Sequence, residues 1–368
     1  MLAPRLVARG HTVRVVTSDL GIGPDLPRSQ WIERDGYHVW YHPAPRLVGN
    51  MAPYWLPGVE RPLQKALEDA DIVQTHLAFT YVNTVLRRLS SECGVPYIYT
   101  PRSTLDPVRL QQRRFAKRAF KALFEADVVR GAAAIHCLND AEVDHVVRYG
   151  GDRGRCRVIP NACALAERDD WPDAAAFHAA TGVPHDRPMI LYLGRLQSIK
   201  GLDLLVDAFA RLRDRHADAL LVVAGPDEGG GAIVRRHAAR HRLGDAVRLV
   251  GTLKGDVKLA ALRAADVFVL TSYSEGMPNA ALESLAAGTP CVLTPACHLP
   301  SVERCGAGYV VRPDPVEIAS ALDRVLIEQR RPNPMRKGAR DLAVAQFAPD
   351  PVVTRIEAVY AETVAEHR

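Results

Sequence analysis

The chain has 368 residues, 48% of them hydrophobic and 24% charged, which suits an ordinary globular protein long enough for two domains. No apolar run approaches the ~18 residues of a membrane-spanning helix, and Met1-Leu2-Ala3-Pro4-Arg5 lacks a signal peptide's apolar stretch, so a cytoplasmic protein is expected. The net charge of +5 is uneven: residues 1–165 hold 22 Lys and Arg against 16 Asp and Glu. That suits a phosphorylated substrate or an anionic membrane surface, and is too weak for nucleic acid.

In chain order, Leu2–Arg9 reads as the end of a helix, Gly10 as its cap, and Thr12–Thr17 as a strand. A doubly wound domain normally opens with a strand and a Gly-rich turn before that helix, so this element is expected to be missing. Further strands are expected at His38–Tyr41, Asp71–Thr75, Pro96–Thr100, Ala133–Cys137 and Arg157–Ile159. Helices are expected over 59–69, 80–92, 109–130 and 139–148. The segment Arg109–Lys121 interleaves Arg109, Arg113, Arg114, Lys117, Arg118 and Lys121 with Leu110, Phe115 and Phe120. That is the pattern of a basic amphipathic helix, able to cover its own domain or to lie on an anionic bilayer.

A polar stretch, Glu167-Arg168-Asp169-Asp170, and prolines 172, 184 and 188 mark a boundary near 165–187. We expect domains over 1–165, completed by a C-terminal helix at about 350–368, and over 166–349. The second half alternates more cleanly. Strands are predicted at Met189–Leu193, Ala219–Ala224, Val247–Val250, Val267–Thr271 and Pro290–Thr294. Helices are predicted over 201–213, 232–242, 256–264, 278–287 and 315–329. Such alternation implies a parallel, doubly wound sheet, whose ligands sit at the carboxyl ends of its strands. The seven cysteines include no Cys-x-x-Cys, so neither a disulfide framework nor a zinc site is expected.

Chemistry concentrates in Thr271 to Glu283, which follows a predicted strand. Gly276 permits a tight turn, and Pro278 suits the start of a helix. Amides of Gly276, Met277, Asn279 and Ala280 at that start would favour a phosphate. Glu275 and Glu283 are acceptors for sugar hydroxyls. Gly194-Arg195 and Lys200-Gly201 add a guanidinium fork and a point charge, which together would neutralise a diphosphate without a metal. In the first half His76 ends a strand, and Arg102-Ser103 follow another.

These motifs resemble the retaining GT-B glycosyltransferases of family 4, the group 1 transferases. Glu275 and Glu283 match the family's Glu-x7-Glu, and Gly194-Arg195-Leu196 with Lys200-Gly201 its Gly-Arg-Leu and Lys-Gly element. Gly225-Pro226 is similar to its Gly-x-Pro turn, Ala287 to Cys291 to its Ala-Gly-x-Pro-Val, and Ile159-Pro160-Asn161-Ala162 to its Ile-Pro-Asn-Gly hinge. The resemblance implies two facing Rossmann-like domains, with Arg195 and Lys200 on the donor diphosphate. It places Glu275 on the transferred hexose, Glu283 on the ribose, and Gly194, Gly225, Gly276, Met277, Asn279 and Ala280 around the donor. His76, Arg102 and Ser103 fall on the acceptor side, where Arg102-Ser103 replace a commoner His-Gly and leave no His base in that loop. No cofactor or metal is implied. The donor would be a UDP- or GDP-linked sugar, and the acceptor a saccharide or polyprenyl-linked saccharide at the inner face of a membrane, in polysaccharide or lipopolysaccharide synthesis. The alternatives are a non-catalytic or truncated sugar-nucleotide binder and, less favoured, a GT-B epimerase of UDP-sugars.

Overall fold

The computed structural model describes residues 2–20, 22–23, 25–45, 55–111, 114–328 and 333–368, apart from the side chain of Ala116. The chain divides into two compact units, Met1–Pro160 with Pro349–Arg368, and Asn161–Ala348.

The first unit holds β1 (Arg14–Ser18), β2 (Trp31–Arg34), β3 (Tyr37–His42), β4 (Val73–His76), β5 (Tyr97–Thr100), β6 (Ala134–Cys137) and β7 (Cys156–Val158). Among the described residues these form two hydrogen-bonded sheets, β1-β3-β2 and β4-β5-β6-β7. The second is parallel throughout, as the alternating pattern predicts. The first is not. β2, which the sequence reading omits, runs antiparallel to β3, with Trp31 opposite Trp40. Its cause is legible afterwards. Asp35 and Gly36 sit at φ 50° and 79°, the double left-handed geometry of a two-residue hairpin turn that Asp-Gly favours.

The helix predicted over 109–130 is also corrected. Helical turns at Pro107–Gln111, Arg114–Phe120 and Ala126–Gly131 are present, but Lys121–Glu125 is a π-helical turn. Arg113 lies outside the described residues. The wider turn carries Glu125 inward to Tyr99 Oη and the Phe79 amide, at 2.7 and 3.0 Å. The C-terminal helix Pro349–His367 belongs to this unit. Arg5 and Arg9 reach Asp350 and Glu357 on it, and Tyr360 donates to Gln74 Oε1 on β4.

The second unit holds β8 (Met189–Leu193), β9 (Leu220–Ala224), β10 (Val247–Gly251), β11 (Val267–Leu270), β12 (Cys291–Leu293) and β13 (Gly308–Val310). They pair in parallel in the order β10-β9-β8-β11-β12-β13. Every residue of β8, β9, β11 and β12 is buried. Their unbroken apolar runs therefore fit a sheet covered on both faces. Tyr192, Phe177, Phe209 and Phe268 are among the largest side chains fully enclosed here. The strand order reverses between β8 and β11. At that switch point the chain leaves the sheet in opposite directions and opens a crevice at the carboxyl ends. No described helix in either unit is long and apolar enough to cross a membrane.

Candidate active site

The loops that follow β8 and β11 flank this switch point. They are built by close backbone approach. Gly194 N–H donates to Ala224 O, and Leu196 N–H to Pro226 O at 2.9 Å, so the β8 and β9 loops are zipped together. Gly225, at φ 141°, lies so near that an added Cβ would stand 1.8 Å from Gly194 O. Tyr273 N–H donates to Ile199 O at 2.9 Å, and Thr271 Oγ1 to Gly201 O at 2.7 Å, joining the β8 and β11 loops. Gly201 sits at φ 63°, and a Cβ there would meet Thr271 O at 2.1 Å.

This backbone delivers Lys200 to Glu275. Nζ donates to Oε1 at 2.6 Å, and Ser272 Oγ donates to the same oxygen at 2.9 Å. Lys200 is 8% exposed and Glu275 7%. A carboxylate and an ammonium this far from water persist only because each holds the other, and removing one partner strands the second. Glu275 Oε2 has no partner among the described residues, which leaves one acceptor for a hydroxyl group.

Arg195 is placed differently. It is half exposed, and its guanidinium lies 3.5 Å from Glu228 Oε2, an oxygen that Gln197 Nε2 also reaches. The two cations expected to stand together over a diphosphate are thus each already turned to a carboxylate, one firmly and one loosely.

The helix expected over 278–287 spans Asn279–Ala286, with Pro278 at its N-cap and Gly288 at φ 74° just past its end. Its first amides, including those of Asn279 and Ala280, have no acceptor inside the helix. Asn161 braces this end: its N–H approaches Met277 Sδ at 3.3 Å, and its Nδ2 donates to Met277 O and Asn279 Oδ1 at 3.3 and 3.2 Å. Gly276 lies in the turn between Glu275 and Met277. Glu283, one turn into the helix, pairs with Lys258 Nζ at 2.6 Å through Oε2.

His76, Arg102 and Ser103 lie in the first unit, at the carboxyl ends of β4 and β5. Arg102 Nε donates to His76 Nδ1 at 3.4 Å. The surrounding protein, and then the positive charge of Arg102, hold the His76 pKa below its ordinary value. His76 is therefore neutral at pH 7. Arg102 and Ser103 both adopt positive φ, as do Leu77 and Phe79 in the β4 loop. Two buried carboxylates support these loops. Glu142 accepts from the amides of Ser103 and Leu138. Glu125 accepts from the Phe79 amide and Tyr99 Oη.

The structure therefore gathers Gly194, Arg195, Lys200, Gly225, Glu275, Gly276, Met277, Asn279, Ala280 and Glu283 around one sheet edge, and the other three residues around another. Sequence reasoning omits Ser272, Lys258, Glu228, Glu125 and Glu142, and reads Asn161 only as part of a hinge. For Ser272 the signal was proximity to Glu275. Lys258 lies 25 positions before Glu283 with no motif joining them.

Comparison with known proteins agrees in both halves. The family "Glycosyl transferase 4-like domain" matches residues 1–162, and "Glycosyl transferases group 1" matches residues 173–342. A D-inositol 3-phosphate glycosyltransferase of Acidothermus cellulolyticus is 31% identical over 312 residues, 81% of this chain and 68% of that protein. Of the corresponding protein in Salinispora tropica the chain spans 61%. Among solved structures, sucrose-phosphate synthase from Thermosynechococcus elongatus aligns with a TM-score of 0.77 at 22% identity, covering 99% of this chain and 92% of that one. Anabaena HepE in complex with UDP and glucose aligns with a TM-score of 0.70 at 18% identity, over 88% and 86%. These likenesses show the fold, two Rossmann-like domains of the GT-B kind. Through its sequence matches the chain belongs to the group 1 glycosyltransferases, of family 4.

Proposed function

We propose that this glycosyltransferase moves a hexose from a UDP- or GDP-linked sugar to a saccharide or lipid-linked saccharide, with retention at the anomeric carbon and without a metal. The buried Lys200–Glu275 pair at the switch point carries the reading. As the bond to the diphosphate breaks, negative charge builds on the leaving oxygens. A fixed ammonium and the amides at the start of 279–286 stand ready for that charge without having to reorganise. Arg195, loosely held, can turn from Glu228 to the same phosphates. Glu275 Oε2 accepts a hydroxyl of the transferred sugar, and Glu283 the ribose. Arg102 and His76 offer donors to the acceptor. HepE, which binds UDP and glucose, supports a UDP-sugar; retention, metal independence and a role in polysaccharide or lipopolysaccharide synthesis rest on the family resemblance.

The test is incubation of the full chain with UDP-, GDP- and ADP-sugars and saccharide acceptors, with and without EDTA, following nucleotide release and the anomer formed. Glu275→Gln and Lys200→Ala should each lower turnover by about 100-fold or more. Turnover unaffected by both would remove the site. Binding without release in the native chain would favour a sugar-nucleotide binder instead.

Contact with the inner face of an anionic membrane belongs to the same proposal, through the exposed side chains of the basic segment. Phe120 packs on Phe79, while Lys117 and Lys121 lie over the rings of Phe79 and Tyr149. Phe115 and Leu123 are 70% and 68% exposed, beside Arg114 and Arg118. Flotation with anionic liposomes at low salt should fall in Phe115→Ser/Leu123→Ser. A native chain that fails to float removes this contact.

A further inference from the structure

The two carboxylates of the Glu275/Glu283 pair share one construction. In each, a lysine holds one oxygen at 2.6 Å, Lys200 on Glu275 Oε1 and Lys258 on Glu283 Oε2. In each, the other oxygen has no partner among the described residues. Lys200 comes from the turn 198–200 just before one helix, and Lys258 from the first turn of the helix Gly255–Ala264. Both lysines therefore sit at the carboxyl edge of the sheet, where the strands deliver ligands. The pairs differ in setting: Lys200 and Glu275 are buried, whereas the side chains of Lys258 and Glu283 are 28% and 22% exposed.

A glutamate on a helix has three rotatable bonds. Left alone, its carboxylate samples several directions, and a ligand that needs one of them must freeze the rest. Lys258 does that freezing before any ligand arrives. It also spends one lone-pair face of the carboxylate, so only Oε1 remains to be read.

We propose that Lys258 is a positioning residue for nucleotide recognition, holding Glu283 by Oε2 so that Oε1 accepts from the ribose hydroxyls of the donor. The proposal rests on the reading that Glu283 binds the ribose. The role assigned to Lys258 is to hold that carboxylate, with which its ammonium pairs at 2.6 Å.

The experiment measures affinity of the full chain, by calorimetry, for UDP and for 2′,3′-dideoxy-UDP, or for the GDP pair if the donor panel selects guanosine. The native chain should prefer the ribonucleotide by about 10-fold or more. In Lys258→Met this preference should shrink to about 3-fold or less, with UDP binding weakened and dideoxy-UDP binding unchanged. Lys258→Arg should restore most of the preference. A far-UV CD melt checks that the methionine variant is folded. Equal loss for both nucleotides would overturn the proposal, since Lys258 would then serve the phosphates or the fold. Preference unchanged in Lys258→Met would overturn it too. A native chain that shows no preference at all would instead remove the ribose role of Glu283, and the proposal with it.

Discussion

The two units build loops at the ends of parallel strands by opposite means. In the second unit the close approaches at the switch point are made by glycine: Gly201 and Gly225 adopt positive φ against a neighbouring carbonyl that no Cβ could clear. In the first unit the comparable positions are Leu77, Phe79, Arg102 and Ser103, all at positive φ and all with side chains. Such residues are strained by roughly 1–2 kcal/mol each. They are held there by Asn83, Thr104, Glu125 and Glu142, whose side chains capture the backbone of the same loops. One unit removes the steric conflict; the other overrides it with side chains that donate to or accept from the loop backbone. The first keeps side chains on its loops as a result, which is what an acceptor surface needs. It also places two carboxylates in an apolar interior.

The comparison breaks most visibly at glycine. Gly225→Ala should destabilise the second unit by about 3 kcal/mol or more, since the added carbon overlaps Gly194 O and the φ of 141° disfavours any side chain. Urea denaturation followed by circular dichroism measures it. A loss below about 1 kcal/mol would mean that the β8 and β9 loops separate easily, and the rigid donor edge would lose its basis.

The carboxylates of the first unit give an effect that depends on pH. Glu125 is fully enclosed. Burial pushes its pKa up to about 7 from 4.5, against the opposing pull of Tyr99 Oη and the Phe79 amide. The folded state then binds a proton that the unfolded chain has lost, so this group's contribution falls as pH rises from about 4.5 to 7. Its cost is full above pH 7 and at most about 3 kcal/mol. His136 acts in the reverse sense: burial lowers its pKa to about 4, so its contribution falls as pH drops below about 6.5. The two slopes oppose each other in the native chain, and only the difference between variants isolates one of them. Glu125→Gln can keep both partners, accepting from Phe79 N–H and donating to Tyr99 Oη. Its melting temperature should match that of the native chain near pH 4.5 and exceed it by several degrees at pH 8. A difference that does not change with pH would show that Glu125 ionises as freely folded as unfolded.

The same contrast explains what was legible. The donor edge could be read because all of its predicted residues but Gly225 lie in two contiguous stretches, 194–201 and 271–283, each placed by a wholly apolar strand before it. Glycines mark where the backbone must close. The first unit offered less, since its loops are held by residues far off in sequence: Glu125 is 46 positions from Phe79, and Glu142 is 39 from Ser103. A π-helical turn leaves no periodic mark, and its effect is to bring Glu125 inward. β2 and β13 are four and three residues long, too short for alternation to register, although Asp35-Gly36 carried the hairpin signal. Asn161 and Lys258 became visible only once the helix they serve was in place.

The smallest effect tests whether the donor edge is as fixed as its glycines suggest. The side chains of Arg195 and Glu228 are 52% and 42% exposed, with 3.5 Å between their charged atoms, so their pairing contributes little to stability, within about 1 kcal/mol. Glu228→Gln should therefore leave the urea midpoint nearly unchanged. It removes a charge that competes with phosphate for Arg195, so affinity for UDP or GDP should rise by a factor of about two to three, and more at low salt than at high. A tenfold loss of affinity would show the opposite arrangement, in which Glu228 orients Arg195 toward the diphosphate. The loose pair would then be as much a part of the site as the buried one formed by Lys200 and Glu275.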